Sequence, residues 1–226
     1  MDIPWRFLSR MYVYDTEING VKVKATLAKQ DEIVEKELSE LKKSLMHTDF
    51  PVVGVDFKFS RRSTFGRDFD GSAPDRTEWL PSLLVLYVKG RCLIIQLDHL
   101  FPLSLARFLN DESICFVGIK IDYHLKSLKE HHRSLCISSK AGDLTRYGAD
   151  IQELAACVLK NRSLLYCPEL SDLARRIEFE IQDTDESTAS PPDWGAIVFT
   201  EEEIKYAIQD AHSCYCIGKK LLYTLA

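Results

Sequence analysis

The chain has 226 residues and a formal net charge of −5, with 46% hydrophobic and 28% charged residues. This leaves room for one sizeable core under an ordinary polar surface, and it excludes a protein that holds nucleic acid by bulk positive charge alone. No apolar run approaches the roughly 20 residues that span a bilayer, and Met1-Asp2-Ile3-Pro4-Trp5 has no basic or apolar signal region, so no membrane partner and a location in the cytoplasm or nucleus are expected.

In chain order, Met11–Asp15 and residues 18–26 read as two short strands around the Asn19-Gly20 turn. Ile33, Val34, Leu38, Leu41 and Leu45 recur at helical spacing and predict a helix from about Lys29 to Leu45. Pro51–Phe59 reads as a buried strand. Residues 60–80, polar and broken by Gly66, Gly71 and Pro74, read as a loop. Leu83–Val88 and Cys92–Leu97 flank Lys89-Gly90-Arg91, the signal of a hairpin. A short helix is predicted over Pro102–Leu109, a strand over Ile114–Ile121, and a helix through Leu125 and Leu128.

Further helices are predicted over Asp150–Lys160 and, capped by Ser171, through Leu173 and Ile177. Residues 1–10 and 182–193 are expected to be flexible. Thr200 with Glu203 forms a capping box for the last helix, which carries Ile204, Ile208, Ala211, Tyr215, Leu221 and Leu222 on its apolar face. The expected architecture is a single domain over 1–226, a mixed sheet flanked by helices. The seven cysteines are odd in number and sit mostly in apolar segments, which reads as free thiols in a reducing compartment. His212, Cys214 and Cys216 lie close together, but their spacing on one helix is wrong for a zinc finger.

Four stretches, taken in order, resemble the DEDDy 3′–5′ exonucleases, in particular the Werner-syndrome-like exonuclease domains of plants. They are Val52–Lys58, the hairpin Leu84–Leu97, Phe116–Leu125, and Asp193-Trp194-Gly195 with Glu203–Ala211. The resemblance covers about residues 11–225 and implies an α/β, RNase H-like mixed central sheet flanked by helices. It also implies two-metal phosphodiester hydrolysis with Mg2+ or Mn2+ held by four carboxylates. The expected substrates are single-stranded RNA or DNA 3′ ends. On that reading Asp56 and Asp210 are metal ligands, and Tyr206 helps position the attacking water. Tyr206 and Asp210, four apart on a helix, share one face.

Two positions depart from the pattern. The first motif has Lys58 where the family has Glu, and the second has His124 where it has Asp. Asp56 and Lys58 point to one face of the strand, so the ammonium approaches the place a metal would take. A unit charge about 4 Å from a divalent ion contributes roughly 8 kcal/mol at an effective dielectric of about 20. Changing the sign of one such contribution weakens a metal pair severely unless the lysine swings out to solvent. Lys58 can instead form a salt bridge with Asp56 or Asp210. Asp122, or a loop acid among Asp68, Asp70, Asp75 and Glu78, is the candidate replacement ligand. Arg61 and Arg62, with Arg67 behind them, are candidate phosphate contacts.

The expected function is therefore that of an exonuclease-like protein of nucleic-acid metabolism with catalysis weakened or lost. The alternative is a non-catalytic binder of nucleic acid or protein on the same fold, as a homo-oligomer subunit. Both readings require side chains 56, 58, 124, 206 and 210 to gather in one pocket at the sheet's edge.

Overall fold

Two left-handed residues, Asn19 (φ 49°) and Gly20 (φ 75°), turn the chain back on itself between β1 (Val13–Ile18) and β2 (Val21–Ala28). Lys89 (φ 45°) and Gly90 (φ 76°) do the same between β4 (Arg76–Val88) and β5 (Arg91–Gln96). Such turns match the right-handed twist of the strands they join. The structure is a computed structural model that describes residues 12–46, 48–64, 76–97, 101–135, 148–179, 192–196 and 198–225, apart from the side chains of 62–64, 76–78 and 131–135.

With β3 (Val52–Thr64), β6 (Cys115–Gly118) and β7 (Ala149–Asp150), the strands form one seven-stranded sheet in the order β1-β2-β5-β4-β3-β6-β7. The sheet is mixed. The pairs β1/β2, β4/β5 and β3/β4 are antiparallel, whereas β2/β5, β3/β6 and β6/β7 are parallel. Helices cover both faces. The described ones are α1 (Asp31–Leu45), α2 (Leu103–Leu109), α3 (Ile121–Leu135), α4 (Ile151–Val158), α5 (Leu170–Arg176) and α6 (Glu201–Leu225), with a 3-10 turn at Arg162–Tyr166. None is long and apolar enough to cross a membrane.

Strand alternation divides the core in two. Val52, Leu83, Val85 and Tyr87 face Ile204, Ala207, Ile208 and Ala211 of α6. Val53, Val55, Phe57, Leu84 and Leu86 face Val34, Leu38 and Leu41 of α1, Leu105 and Phe108 of α2, and Ile121, Leu125 and Leu128 of α3. The central strands are thus buried on both sides, which is why they read as continuous apolar runs.

The structure corrects three sequence readings. Residues 60–64 and 76–80 are strand rather than loop. The β3/β4 ladder continues past a register shift at Lys58/Phe59 as a two-stranded ribbon, pairing Ser60 with Leu80 and Arg61 with Trp79. Its backbone bonds need no apolar alternation, so hydrophobicity gave no signal. The strand read over Ile114–Ile121 stops at Gly118; Lys120 is left-handed (φ 47°) and Ile121 already begins α3. Ser171 lies inside α5, whose cap position is Glu169; that side chain accepts from Ser171 Oγ at 3.4 Å and makes no capping bond to the helix backbone. The expected flexible segment 1–10 and most of 182–193 lie outside the described residues.

The Thr200–Glu203 box does form. Thr200 N donates to Glu203 Oε2 at 2.7 Å, and Glu203 N donates to Thr200 Oγ1 at 3.2 Å. Gly54 lets α6 lie directly on β3: a Cβ there would strike the Ala211 carbonyl and come within 2.8 Å of Tyr215 Cβ. Gly54→Ala is therefore expected to push α6 off the sheet and destabilise the fold by about 1–3 kcal/mol or more, read as a lower midpoint in urea denaturation.

Candidate active site

Asp56 and Lys58 stand two apart on β3 and so share the face that meets α6. Opposite them, Tyr206 and Asp210 stand one helical turn apart on α6. Lys58 Nζ lies 2.8 Å from Asp56 Oδ2 and 2.7 Å from Asp210 Oδ2, and the second contact is also a hydrogen bond. The lysine is only 7% exposed. The Asp56 side chain is 17% exposed and that of Asp210 45%, so the site is closed on the β3 side and open on the α6 side.

Aromatic rings complete the enclosure. Lys58 Nζ is 5.0 Å from the centre of the Tyr206 ring and 5.8 Å from that of Trp194, a cation–π arrangement. Trp194 and Tyr206 stack at 6.0 Å and 11°. The tryptophan comes from a tight turn in which Asp193 Oδ1 accepts from Gly195 N at 3.0 Å. Gln96 Nε2 of β5 donates to Ala196 O at 3.2 Å and anchors that turn on the sheet. Trp194, 6% exposed, is a site residue that the sequence reading quoted but gave no role. A tryptophan beside a polar, Pro-rich stretch is the signal that could have found it.

Burial drives the ionisation of this cluster. It pushes Asp56 up to about 6 against the opposing pull of Lys58, and the like charge of Asp210 adds to the rise. Burial disfavours the Lys58 ammonium too, but Asp56 and Asp210 outweigh it and hold the lysine above its ordinary value. The lysine therefore stays charged across the physiological range.

His124 is not in this cluster. It sits in the first turn of α3 on the other face of β3, its ring 5.5 Å from Phe57 and 5.1 Å from Phe59. The physical reason is the early start of α3, whose apolar positions Ile121, Leu125 and Leu128 belong to the opposite core. Burial, aided by the charge of Lys120, lowers His124 to about 4, so it is a neutral imidazole at pH 7. Asp122 is not brought in either: its Oδ1 accepts from Gly148 N at 3.0 Å. Asp150 caps α4 through Gln152 N at 2.8 Å and holds Lys120 N at 2.7 Å. The candidate loop acids Asp68, Asp70 and Asp75, the Glu78 side chain, Arg67 and the Arg62 side chain lie outside the described residues. Arg61 is exposed on β3, three positions past Lys58.

A pair of divalent ions does not fit this arrangement. The two converging carboxylates, Asp56 and Asp210, already share an ammonium at contact distance, and an ion within bonding reach of both would have to displace it. Among the described residues no three His, Cys, Asp or Glu side chains gather where a metal could be held. His212 Nε2 lies 3.6 Å from Cys216 Sγ, while Cys92, Cys115, Cys157, Cys167, Cys214 and Cys216 are free thiols.

No family model matches the sequence, and no curated protein matches it. Solved structures do match the fold. RNase D of Escherichia coli, an exoribonuclease involved in structured RNA processing, superposes with a TM-score of 0.58 at 17% identity, over 88% of this chain and 44% of that one. The catalytic core of RRP6 from Trypanosoma brucei gives 0.58 at 14% identity, over 98% and 52%. The Nibbler EXO domain of Aedes aegypti gives 0.56 at 17%, over 89% and 88%. The chain thus spans about half the length of the first two. Its architecture is the α/β, RNase H-like fold that these structures share.

Two outcomes are expected. Lys58→Met leaves Asp56 buried beside Asp210 without its counter-charge and lowers stability by about 3–5 kcal/mol. Adding Asp56→Asn recovers much of that loss, measured by urea denaturation of the single and double variants.

The second outcome concerns His124. Its folded value near 4 lies below the roughly 6.5 of an unfolded histidine. Its stabilising contribution is therefore complete above pH 6.5 and is lost as the pH falls towards 4. Asp56, raised in the folded state, acts oppositely between about 4 and 6. His124→Asn separates the two effects. The thermal midpoint of the wild type, relative to this variant, should fall as the pH is lowered from 7 to 4.

Proposed function

We propose that the chain is a 3′–5′ exonuclease-like protein of nucleic-acid metabolism whose two-metal hydrolysis has been lost. On this reading it acts as a single domain that binds single-stranded RNA or DNA 3′ ends, alone or as a homo-oligomer subunit. One observation carries the loss of catalysis: the Lys58 ammonium stands between Asp56 and Asp210, 2.8 and 2.7 Å from their carboxylates. These are the two acids that the resemblance assigns to the metals.

A lysine with three donors can reach both carboxylates but has no coordination position in which to bind water and turn it into hydroxide as Mg2+ or Mn2+ does. Tyr206 keeps the position assigned to the residue that orients water, yet its ring now packs over the lysine and on Trp194. Of the assigned catalytic set Asp56, Tyr206 and Asp210, each side chain is engaged by the lysine or the tryptophan. Of the fold neighbours named above, RNase D is an exoribonuclease and the Nibbler structure is an EXO domain, which supports nucleic acid as the partner. Arg61 and Arg62, following Lys58 on β3, are the proposed phosphate contacts.

The test is a calorimetric titration with Mg2+ and with Mn2+, followed by a nuclease assay on the same sample with single-stranded RNA and DNA. The wild type is expected to show no divalent binding at millimolar concentrations and no nucleotide release. Lys58→Glu restores the first-motif acid and should gain measurable Mn2+ binding. Metal-dependent release of nucleotides by the wild type, abolished by Asp210→Ala, would overturn the proposal.

A further inference from the structure

The face of β3 turned away from Lys58 has a different chemistry. Phe57 and Phe59 carry the His124 ring, and the Tyr123 ring stands 5.7 Å from that histidine. Tyr123 is 68% exposed. Past the register shift, the alternation of two puts Arg61 on the same side as Phe59. The ladder pairs Arg61 with Trp79, which is 65% exposed. Tyr123, His124, Phe59 and Trp79 therefore border one surface at the root of the β3/β4 ribbon.

Cations accompany the rings. Arg61 stands two residues past Phe59 on β3 and directly across from Trp79 on β4, and Lys120 and Lys126 are exposed on α3 or just before it, three residues on either side of Tyr123. On and beside α3, Asp122 accepts from Gly148 N and Asp150 from Lys120 N. In a chain of net charge −5, cations set beside exposed rings are a local feature rather than a general one. Exposed aromatics also suit protein interfaces, but those favour a dehydrated apolar centre. Rings spaced along a strand edge with cations between them suit a single strand of nucleic acid, whose bases stack on the rings while its phosphates meet the cations.

We propose that Trp79, Phe59, His124 and Tyr123, with Arg61, Lys120 and Lys126 beside them, form a stacking surface for single-stranded nucleic acid. It is separate from the Lys58 cluster because it lies on the opposite face of the same strand. This inference rests on the nucleic-acid role proposed above and says where the strand lies.

The experiment titrates the full chain at low ionic strength with labelled oligouridylate and oligothymidylate, reading anisotropy and tryptophan fluorescence. The wild type is expected to bind at least one strand, with quenching that disappears in Trp79→Ala. Trp79→Ala and Tyr123→Ala should each weaken binding about tenfold, whereas Trp79→Phe and Tyr123→Phe keep most of it. Both positions are exposed, so thermal midpoints should match the wild type.

Variants that bind like the wild type would overturn the surface while leaving the nucleic-acid role standing. A wild type that binds neither strand overturns both. If Trp79→Ala instead breaks up a self-associated form seen by light scattering, with no strand bound, the face is a protein interface and the proposal falls.

Discussion

A buried ammonium shared by two carboxylates ties β3 to α6, and the rest of the candidate site is arranged around it. Removing a lysine from water costs several kcal/mol before any compensation. Here it meets Asp56 and Asp210 at contact distance and two aromatic faces within about 6 Å. The formal charge of the trio is −1, and burial relieves the excess by raising Asp56 rather than by neutralising Lys58. A helix packed on a sheet over Ala207, Ile208 and Ala211 is held by apolar area; the ion triad adds a fixed register to it. Gly54 sets how closely the two elements approach, and hence whether the lysine can reach both acids.

Much of this was legible in the sequence because the periodicities are rigid. Alternation placed Asp56 and Lys58 on one face, and a spacing of four placed Tyr206 beside Asp210. The Asn19-Gly20 and Lys89-Gly90 turns and the Thr200–Glu203 box are local chemistry that needs no tertiary context. His124 was illegible for a specific reason. The run Ile119-Lys120-Ile121 reads equally well as the end of a strand or the start of a helix, and the left-handed Lys120 that decides it has no signature in a lysine's side chain. The three residues by which the strand ends early were enough to send the imidazole to the other face. The ribbon at 60–64 and 76–80 was missed because its polar residues show no apolar alternation, and the enclosing role of Trp194 because that role is created by a distant docking bond from Gln96.

The strand that carries the lysine therefore also partitions the molecule chemically. A period of two sends acid and ammonium towards α6 and sends Phe57 and Phe59 towards α3. Substitutions on one face need not disturb the other, since the backbone ladder between them is fixed by β4 and β6. A neutral histidine among phenylalanines on one side is compatible with any charge arrangement on the other. The two departures from the exonuclease pattern, Lys58 and His124, are accordingly separate events in physical terms, though they fall in motifs that the resemblance treats as one site.

Supplying the cation covalently has a consequence that a bound ion does not. An ion that holds two elements together stabilises them by an amount that grows with the logarithm of its free concentration and vanishes when it is chelated. Lys58 is present at every site in every molecule, limited only by its own proton, which the two carboxylates hold more firmly than usual. The junction of β3 with α6 is then the same in the presence and absence of divalent ions. On the function proposed above, what is given up is the open coordination position through which an ion would meet a phosphate. On that same proposal, the lysine occupies the position that an ion would use for chemistry, and an ammonium, whose nitrogen has no vacant orbital, holds the two carboxylates together without acting as a Lewis acid.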